Sequence, residues 1–460
     1  MLHSVQIDRD RVKALMHREQ ARFAEHHPRS FELYQRGQNS LLAGVPMHWM
    51  TRWPGGFPLF VAEAKGATFR DVDGNEYIDF CLGDTGAMTG HSPEAALPAI
   101  IQQLGRGITT MLPSENAFWV AEELQRRFGL KYWQFALSAT DANRFSLRLA
   151  RAITKRPKVL VFHGCYHGTV DEAYAWLVDG KAQSRPGNIG PQIDPTLTSK
   201  VVEWNDLEAL EEALKPGDVA AVLAEPVMTN VGIVQPQPGY HEALRALTRK
   251  YGTLLILDET HTLSAGPGGY TRAHRLEPDI LTVGKPLASG IPAAAYGFTE
   301  ELGRRAHAVI QPPYADTGGI GGTLAANALS LAAMRATLEH VLTEEAYTRM
   351  IGLAEQLEGG VQGVIAQYQL PWHVTRVGGR VEYLFRPNPA KNGSEALAGQ
   401  DPDLDPFIHL FMMNRGILLT PFHNMALMSP ATLEEHVDRH TEVFTQAVKE
   451  LLQGRSARGV

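Results

Sequence analysis

A lysine at the end of an apolar run is the residue that most needs a chemical explanation in this sequence. Lys285 follows Ile280-Leu281-Thr282-Val283-Gly284, a strand-like run expected to be mostly buried, and precedes a small, Gly- and Pro-rich stretch ending at Pro292. A lysine on a solvated helix face keeps its ammonium hydrated. One carried toward the interior is desolvated, which favours the neutral, nucleophilic amine. Other apolar runs end in reactive groups too. "TLLIL" ends in Asp258-Glu259-Thr260-His261, "KVLVF" in His163-Gly164-Cys165-Tyr166-His167-Gly168, and "AAVLA" in Glu225-Pro226. "WQFAL" ends in Ser138-Ala139-Thr140-Asp141-Ala142-Asn143, which opens a helix. Ligands of an open parallel sheet bind beyond the carboxyl ends of its strands. An acid, an aromatic ring, a helix start and a lysine are therefore expected along one rim.

Those parts suit pyridoxal 5'-phosphate. Lys285 supplies the amine for a Schiff base. Asp258 is the carboxylate that keeps the pyridine nitrogen protonated, so that the ring accepts carbanionic charge. Ser138, Ala139 and Thr140 are small residues at a helix N-terminus, where amides and hydroxyls bind phosphate. Tyr166, near glycines, stacks on the flat ring. Competing chemistries fit less well. His163 and His167 are four apart, but Gly164 and Gly168 make the stretch a loop rather than a metal-binding helix. "VGKP" is no phosphate loop, because Asp279 and Pro286 stand where glycine and a hydroxyl residue are required. Ser138 lacks the glycines of a nucleophile elbow, and Cys165 reads as a small buried residue.

The elements that must carry these groups form an alternating pattern. From about residue 93, short apolar strands alternate with helices such as "DLEALEEALK" and "HEALRALTRKYG", which predicts an α/β unit with a largely parallel sheet. Upstream, the first 30 or so residues read as an amphipathic helix. Residues 39–58 read as irregular, and "ATFRDVDGNEYIDF" as a hairpin around Asp-Gly. Downstream, "GGTLAANALSLAAMRATLEHVL" reads as a long helix into a second unit holding strands "RVEYLFR" and "GILLTPF" and a closing helix "TLEEHVDRHTEVFTQAVKELL". "PNPAKNGSEALAGQDPD" reads as a surface loop.

Size and composition limit the alternatives. At 460 residues the chain is long enough for two substantial units, and a net charge of −7 argues against a nucleic-acid surface. Two cysteines provide no disulfide framework, and no apolar stretch approaches the roughly 20 residues that span a bilayer. A soluble, cytoplasmic enzyme is expected.

In order and spacing the motifs resemble the class III aminotransferases of the fold type I pyridoxal-phosphate enzymes, in the branch of glutamate-1-semialdehyde aminomutase and the β-amino-acid transaminases. The similarity runs from "FRDVDGNEYIDF" to "HVDRHTEVF". It implies a large domain with a mostly parallel, seven-stranded sheet flanked by helices, and a smaller α+β domain. The boundaries expected are an N-terminal helix and arm at 1–60, a cofactor-binding domain at 61–330 and a C-terminal domain at 331–460. Ser138, Ala139, Thr140, Tyr166, Glu225, Asp258, Thr260, His261 and Lys285 then surround the cofactor, with Lys285 and Asp258 catalytic. Thr323, in Gly321-Gly322-Thr323, is implied to reach the phosphate of a neighbouring subunit, hence a homodimer with sites at its interface.

Departures from the family pattern fall beside the cofactor and on the substrate side. Thr260 stands where a valine usually packs on the ring, and His261 where a glutamine often sits near the phenolic oxygen. The usual substrate-binding arginines are replaced near Trp49 and Phe422, with Arg52 nearby, so these three are the expected substrate-pocket residues. The expected reaction is amino-group transfer between an amine or amino acid and a carbonyl acceptor. The alternatives are an intramolecular aminomutase reaction and, in another class, a noncatalytic binding protein, which the intact Asp258 and Lys285 argue against.

Overall fold

Seven of the apolar runs pair into one sheet. In chain order its strands are β1 (Tyr132–Ala136), β2 (Lys158–Phe162), β3 (Ser199–Val202), β4 (Val219–Ala224), β5 (Leu254–Asp258), β6 (Ile280–Val283) and β7 (Ala294–Phe298). Their order across the sheet is β1-β7-β6-β5-β4-β2-β3. Every pair from β6 through β3 is parallel, and β7 alone runs antiparallel to both of its neighbours. The composition follows from the coverage. β4, β5 and β6 are buried along their whole length, so they read VAAVLA, LLILD and ILTV instead of alternating. Each fully buried Leu or Ile here contributes about 2 kcal/mol. The helix Ala139–Thr154 buries Phe145, Leu149 and Ala150 and packs with the sheet. The computed structural model describes residues 7–310, 319–421 and 423–453.

The hairpin read from the sequence is present. Strands Thr68–Asp71 and Glu76–Asp79 pair antiparallel, and the turn between them uses Gly74 at φ 91. The expected N-terminal helix is two helices, Arg9–His26 and Pro28–Gly37, because Pro28 lacks an N–H and turns its preceding residue out of the helical region. The long helix expected from residue 321 starts only at Ala328. Asn327 caps it by accepting from the Ser330 amide, while Gly321 and Gly322 are left-handed at φ 95 and 145. "GILLTPF" contributes only Ile417–Leu418, which pairs with the Glu76–Asp79 strand instead of the C-terminal sheet. That three-stranded sheet consists of His373–Val377, Arg380–Leu384 and Met425–Leu427, and helices Glu344–Gln367 and Glu434–Leu452 pack near it. The expected surface loop at 387–403 is partly internal. Asn392 caps a short helix, Gly393–Ala398, and Ala390 and Ala396 are buried.

Candidate active site

The chain ends of β1, β4, β5 and β6 open into one cavity of about 420 Å³, within the range of small-molecule sites and large enough for a cofactor with a small substrate. Ser138, Ala139, Thr140, Tyr166, Glu225, Asp258, Thr260, His261 and Lys285 all line it.

At the β1 end, Ser138 caps the helix Ala139–Thr154 by accepting from the Asp141 amide at 3.2 Å, so the first-turn amides face the cavity rim. The Thr140 hydroxyl accepts from the Thr169 amide at 3.1 Å and ties the helix start to the loop after β2. Gly168 makes that contact possible. It is left-handed at φ 77, and a Cβ there would lie 2.0 Å from the Thr140 oxygen. Gly284, just before the lysine, leaves room for Ala139, since a Cβ on it would come within 3.0 Å of the Ala139 Cβ.

Asp258 closes β5 and is buried. Its Oδ2 accepts from Asn143 Nδ2 at 2.7 Å and from His167 Nδ1 at 3.0 Å, and its Oδ1 from the Thr260 amide at 3.1 Å. Asn143 is itself fixed by the Thr282 hydroxyl, which donates to its Oδ1 at 2.6 Å. Burial alone would push the Asp258 pKa up. The His167 partner and the Thr260 and Asn143 donors outweigh it and hold the carboxyl at about 2, so it is ionised throughout the working range. His167 shifts the other way: burial opposes its charge, but Cys165 and the Asp258 carboxylate beside it carry its pKa up.

Lys285 is half-buried and opens on the cavity, which corrects the expectation of an interior side chain. Its backbone is left-handed at φ 51, a conformation that costs a non-glycine residue about 1 kcal/mol. The amine is fixed from two sides, donating to Asp84 Oδ2 at 2.8 Å and lying 2.6 Å from His261 Nε2. The turn that presents Asp84 is left-handed too, at Leu82, Asp84 and Thr85. Behind it the buried Arg380 guanidinium donates to the Thr85 hydroxyl. Burial would raise the Asp84 pKa, but Lys285, His261 and Arg380 hold it well below the usual carboxylate range.

The remaining expected residues are placed as follows. Tyr166 is exposed at the cavity wall, and the buried Thr260 hydroxyl has no hydrogen-bond partner. Thr323 is exposed and does not line the cavity of its own chain. Trp49 and Arg52 are not among its lining residues, and Phe422 lies outside the described residues. His163 is a structural residue whose Nδ1 accepts from the Leu177 amide at 3.0 Å, and the described residues contain no cluster that could hold a metal ion. Asp84, Asn143, Thr229, Thr282 and Arg380 were not anticipated. Nothing in their residue types or spacing marks them, because their contacts cross between separate segments.

A helix start facing the rim, a buried ionised carboxylate, an amine and an orphan hydroxyl in one cavity fit the phosphate, pyridine nitrogen and aldehyde of pyridoxal phosphate. The fold and the site define a fold type I pyridoxal-phosphate enzyme. The chain belongs to the aminotransferase class-III family, whose sequence profile matches residues 49–448. It is 33% identical over 435 residues to the glutamate-1-semialdehyde 2,1-aminomutase of Persephonella marina, covering 92% of this chain and 99% of that protein. Among solved structures it is similar to a glutamate-1-semialdehyde aminomutase from Pseudomonas aeruginosa, with 50% identity, a TM-score of 0.95, and coverage of 97% of this chain and 100% of that one. A lysine-to-alanine variant of that relative has been solved in complex with PMP. An omega-transaminase from Sphaerobacter thermophilus has 27% identity, a TM-score of 0.84, and coverage of 92% and 97%. Pyridoxal 5'-phosphate is the cofactor, and the expected fold class is the observed one. Among the described residues no helix is long and apolar enough to cross a membrane.

Proposed function

We propose that this enzyme shifts an amino group within one small substrate, as an aminomutase, with Lys285 as the covalent anchor and proton carrier. This reverses the order of the two readings drawn from sequence. The observation that carries it is the pairing of this cavity with 50% identity over nearly the whole chain to a structure described as an aminomutase. Bound pyridoxal phosphate supplies an electron sink for the charge left when a proton leaves the substrate carbon. The chain's own groups do the rest. Ser138, Ala139 and Thr140 hold the phosphate, Asp258 keeps a proton on the pyridine nitrogen, and Tyr166 and Thr260 cover the ring. Lys285 Nζ moves protons at the substrate. The arm at 1–60, the cofactor-binding unit at 61–330 and the C-terminal unit at 331–460 belong to the same proposal.

Transfer between two substrates is the second reading, favoured by the likeness to the omega-transaminase. Stoichiometry separates the two. Purified enzyme given glutamate-1-semialdehyde and no keto acid or amine donor is expected to complete many turnovers to the amino-shifted isomer, followed by mass spectrometry. Turnover that stops at one equivalent of enzyme and resumes on adding a keto acid would replace the first reading with the second.

A homodimer is part of this proposal. Phe118, Met111 and Leu112 are 67%, 80% and 74% exposed, and Ile101, Ile108 and Leu324 are exposed as well. The Ala328 amide donates to the Ile108 carbonyl at 2.9 Å, which brings the 101–118 stretch beside the segment holding Thr323. Exposed large apolar side chains gathered in this way mark an interaction surface. Sedimentation equilibrium is expected to give twice the chain mass, with Met111→Asp shifting the equilibrium to monomer. A monomeric wild-type enzyme with full activity would remove this assignment.

A further inference from the structure

The lysine amine is the first member of a hydrogen-bonded chain that follows the cavity wall, with only Thr229 set outside the lining. Lys285 Nζ lies 2.6 Å from His261 Nε2, His261 Nδ1 lies 2.8 Å from the Thr229 hydroxyl, and that hydroxyl donates to Glu225 Oε2 at 2.5 Å. Glu225 and Thr229 are buried, and the other carboxyl oxygen, Glu225 Oε1, is buried without a partner. Four groups in contact, each able to give or take one proton, end on an acid whose second oxygen has no hydrogen-bond partner. We infer that His261 and Thr229 form a proton relay in which Glu225 stores the proton that Lys285 releases. The inference rests on the reading of Lys285 as the anchoring amine and deepens it.

The hydrogen-bond rules make the chain a two-position switch. A Glu225 carboxylate only accepts, so the Thr229 hydroxyl must donate to it. The Thr229 oxygen then accepts from His261 Nδ1–H, which leaves the Nε2 lone pair to receive a hydrogen bond from the lysine ammonium. With Glu225 protonated every donor reverses. The carboxyl O–H donates to Thr229, the hydroxyl donates to Nδ1, and Nε2–H points at the lysine lone pair. Passing between the two positions moves one proton across each link. Nζ–H breaks as Nε2–H forms, Nδ1–H breaks as Thr229 Oγ–H forms, and the original Thr229 proton bonds to Oε2. An ammonium and a carboxylate become an amine and a carboxylic acid, with charge and atoms conserved.

The surroundings suit each member to its part. Burial and the adjacent Lys285 charge, with Arg380 adding to them, depress the His261 pKa well below its ordinary value, against the pull of Asp84 and Asp258, so the ring conducts a proton without keeping it. Burial raises the Glu225 pKa to about 7, with Asp258 adding to the rise and His167 and the Thr229 hydroxyl opposing it. A carboxyl raised in this way binds its proton more tightly folded than unfolded, so the stability it contributes below its unfolded pKa is lost as pH rises through about 7. Asp84, the second contact of Lys285, is held ionised and cannot store a proton at neutral pH.

Cutting one link tests the relay. Cofactor-free enzyme is mixed with pyridoxal phosphate, and the rate of its covalent attachment to Lys285 is followed by absorbance across pH. The wild-type rate is expected to show an ionisation near pH 7 that belongs to Glu225. Thr229→Val keeps the shape but removes the hydroxyl. It is expected to lose that ionisation and slow attachment about tenfold or more, and Thr229→Ser is expected to restore both. Glu225→Gln repeats the test without touching the threonine and is expected to give a profile flat through neutral pH. Nitrogen NMR of the His261 ring, assigned with His261→Gln, supplies a readout apart from any reaction. In Lys285→Met, where no ammonium faces Nε2, the proton is expected on Nδ1 above pH 8 and on Nε2 below pH 6, and fixed on one nitrogen once Thr229→Val is added. Superimposable pH profiles for wild type, Thr229→Val and Glu225→Gln, or a His261 tautomer that ignores pH, would overturn the relay. Covalent attachment at a lysine other than Lys285 would instead overturn the function proposed above.

Discussion

Lys285→Ala is expected to abolish turnover, by on the order of 10⁴-fold, while the protein folds and still binds pyridoxal phosphate reversibly. The size follows from two losses at one atom, since in the function proposed above Nζ is both the nucleophile that anchors the cofactor and the base placed to move a proton. Retained binding follows from the rest of the cavity. The helix start at Ser138, the wall at Tyr166 and Thr260, and the Asp258 carboxylate lie on other elements and do not depend on the amine. Borohydride reduction of the wild-type holoenzyme followed by peptide mapping is expected to tag the peptide containing Lys285. The cofactor should dialyse out of the variant and not out of the reduced wild type. The substitution also leaves a signature in the protein alone. Lys285 is the first of the cations that hold the Asp84 carboxyl down against its burial, so Asp84 is expected to titrate at higher pH in the variant, visible by carbon NMR. A tag on another lysine, or a variant with more than a few per cent of wild-type turnover, would require a different anchor.

Much of this site was legible in the sequence because strand ends are. Fully buried strands read as unbroken apolar runs, and the residue after each run must sit at the carboxyl rim of a parallel sheet. That rule alone places Lys285, Asp258, Glu225 and Ser138 on one rim. What could not be read are residues whose contacts cross between distant segments. Asp84 reaches Lys285 from about 200 positions upstream, through a turn whose left-handed geometry at Leu82 and Thr85 no residue preference signals. Thr229 and Asn143 look like ordinary small polar residues, and only the packing of β4, β5 and the first helix turn makes them the fixed partners of His261 and Asp258. Boundaries failed for local reasons: Pro28 split one helix, and Asn327 delayed another until its side chain could cap it. The irregular segment holding Trp49 and Arg52 has no periodicity to fix its path, so its expected place at the substrate could not be derived from pattern, and neither residue lines the cavity.

Asp258→Asn is expected to leave cofactor affinity within about tenfold of wild type and to lower kcat on the order of 10³-fold, the scale of losing one preorganised electrostatic partner from a dry site. The fold around residue 258 explains both halves of that expectation. Asn143 and His167 approach Oδ2 and the Thr260 amide approaches Oδ1, so an isosteric amide still fits between them, though one of its groups is now a donor facing donors. The lost property is the fixed negative charge. Its pKa of about 2 means that Asp258 is never protonated at working pH, and so it can hold a proton on the pyridine nitrogen where a neutral amide cannot. His167 reports the same loss. Asp258 is one of the groups that raise the His167 pKa against burial, so in the variant that imidazole is expected to lose its proton at lower pH. The pair also sets a pH limit on stability. A carboxylate with a depressed pKa contributes stability above its unfolded value near 3.8, lost as pH falls toward 2, and the variant should lack that acid-sensitive contribution in denaturant titrations. Wild-type kcat in Asp258→Asn, with the cofactor absorbance unchanged across pH, would mean that another group holds the ring proton. The deep burial of Asp258 and the three donors trained on it would then be structural.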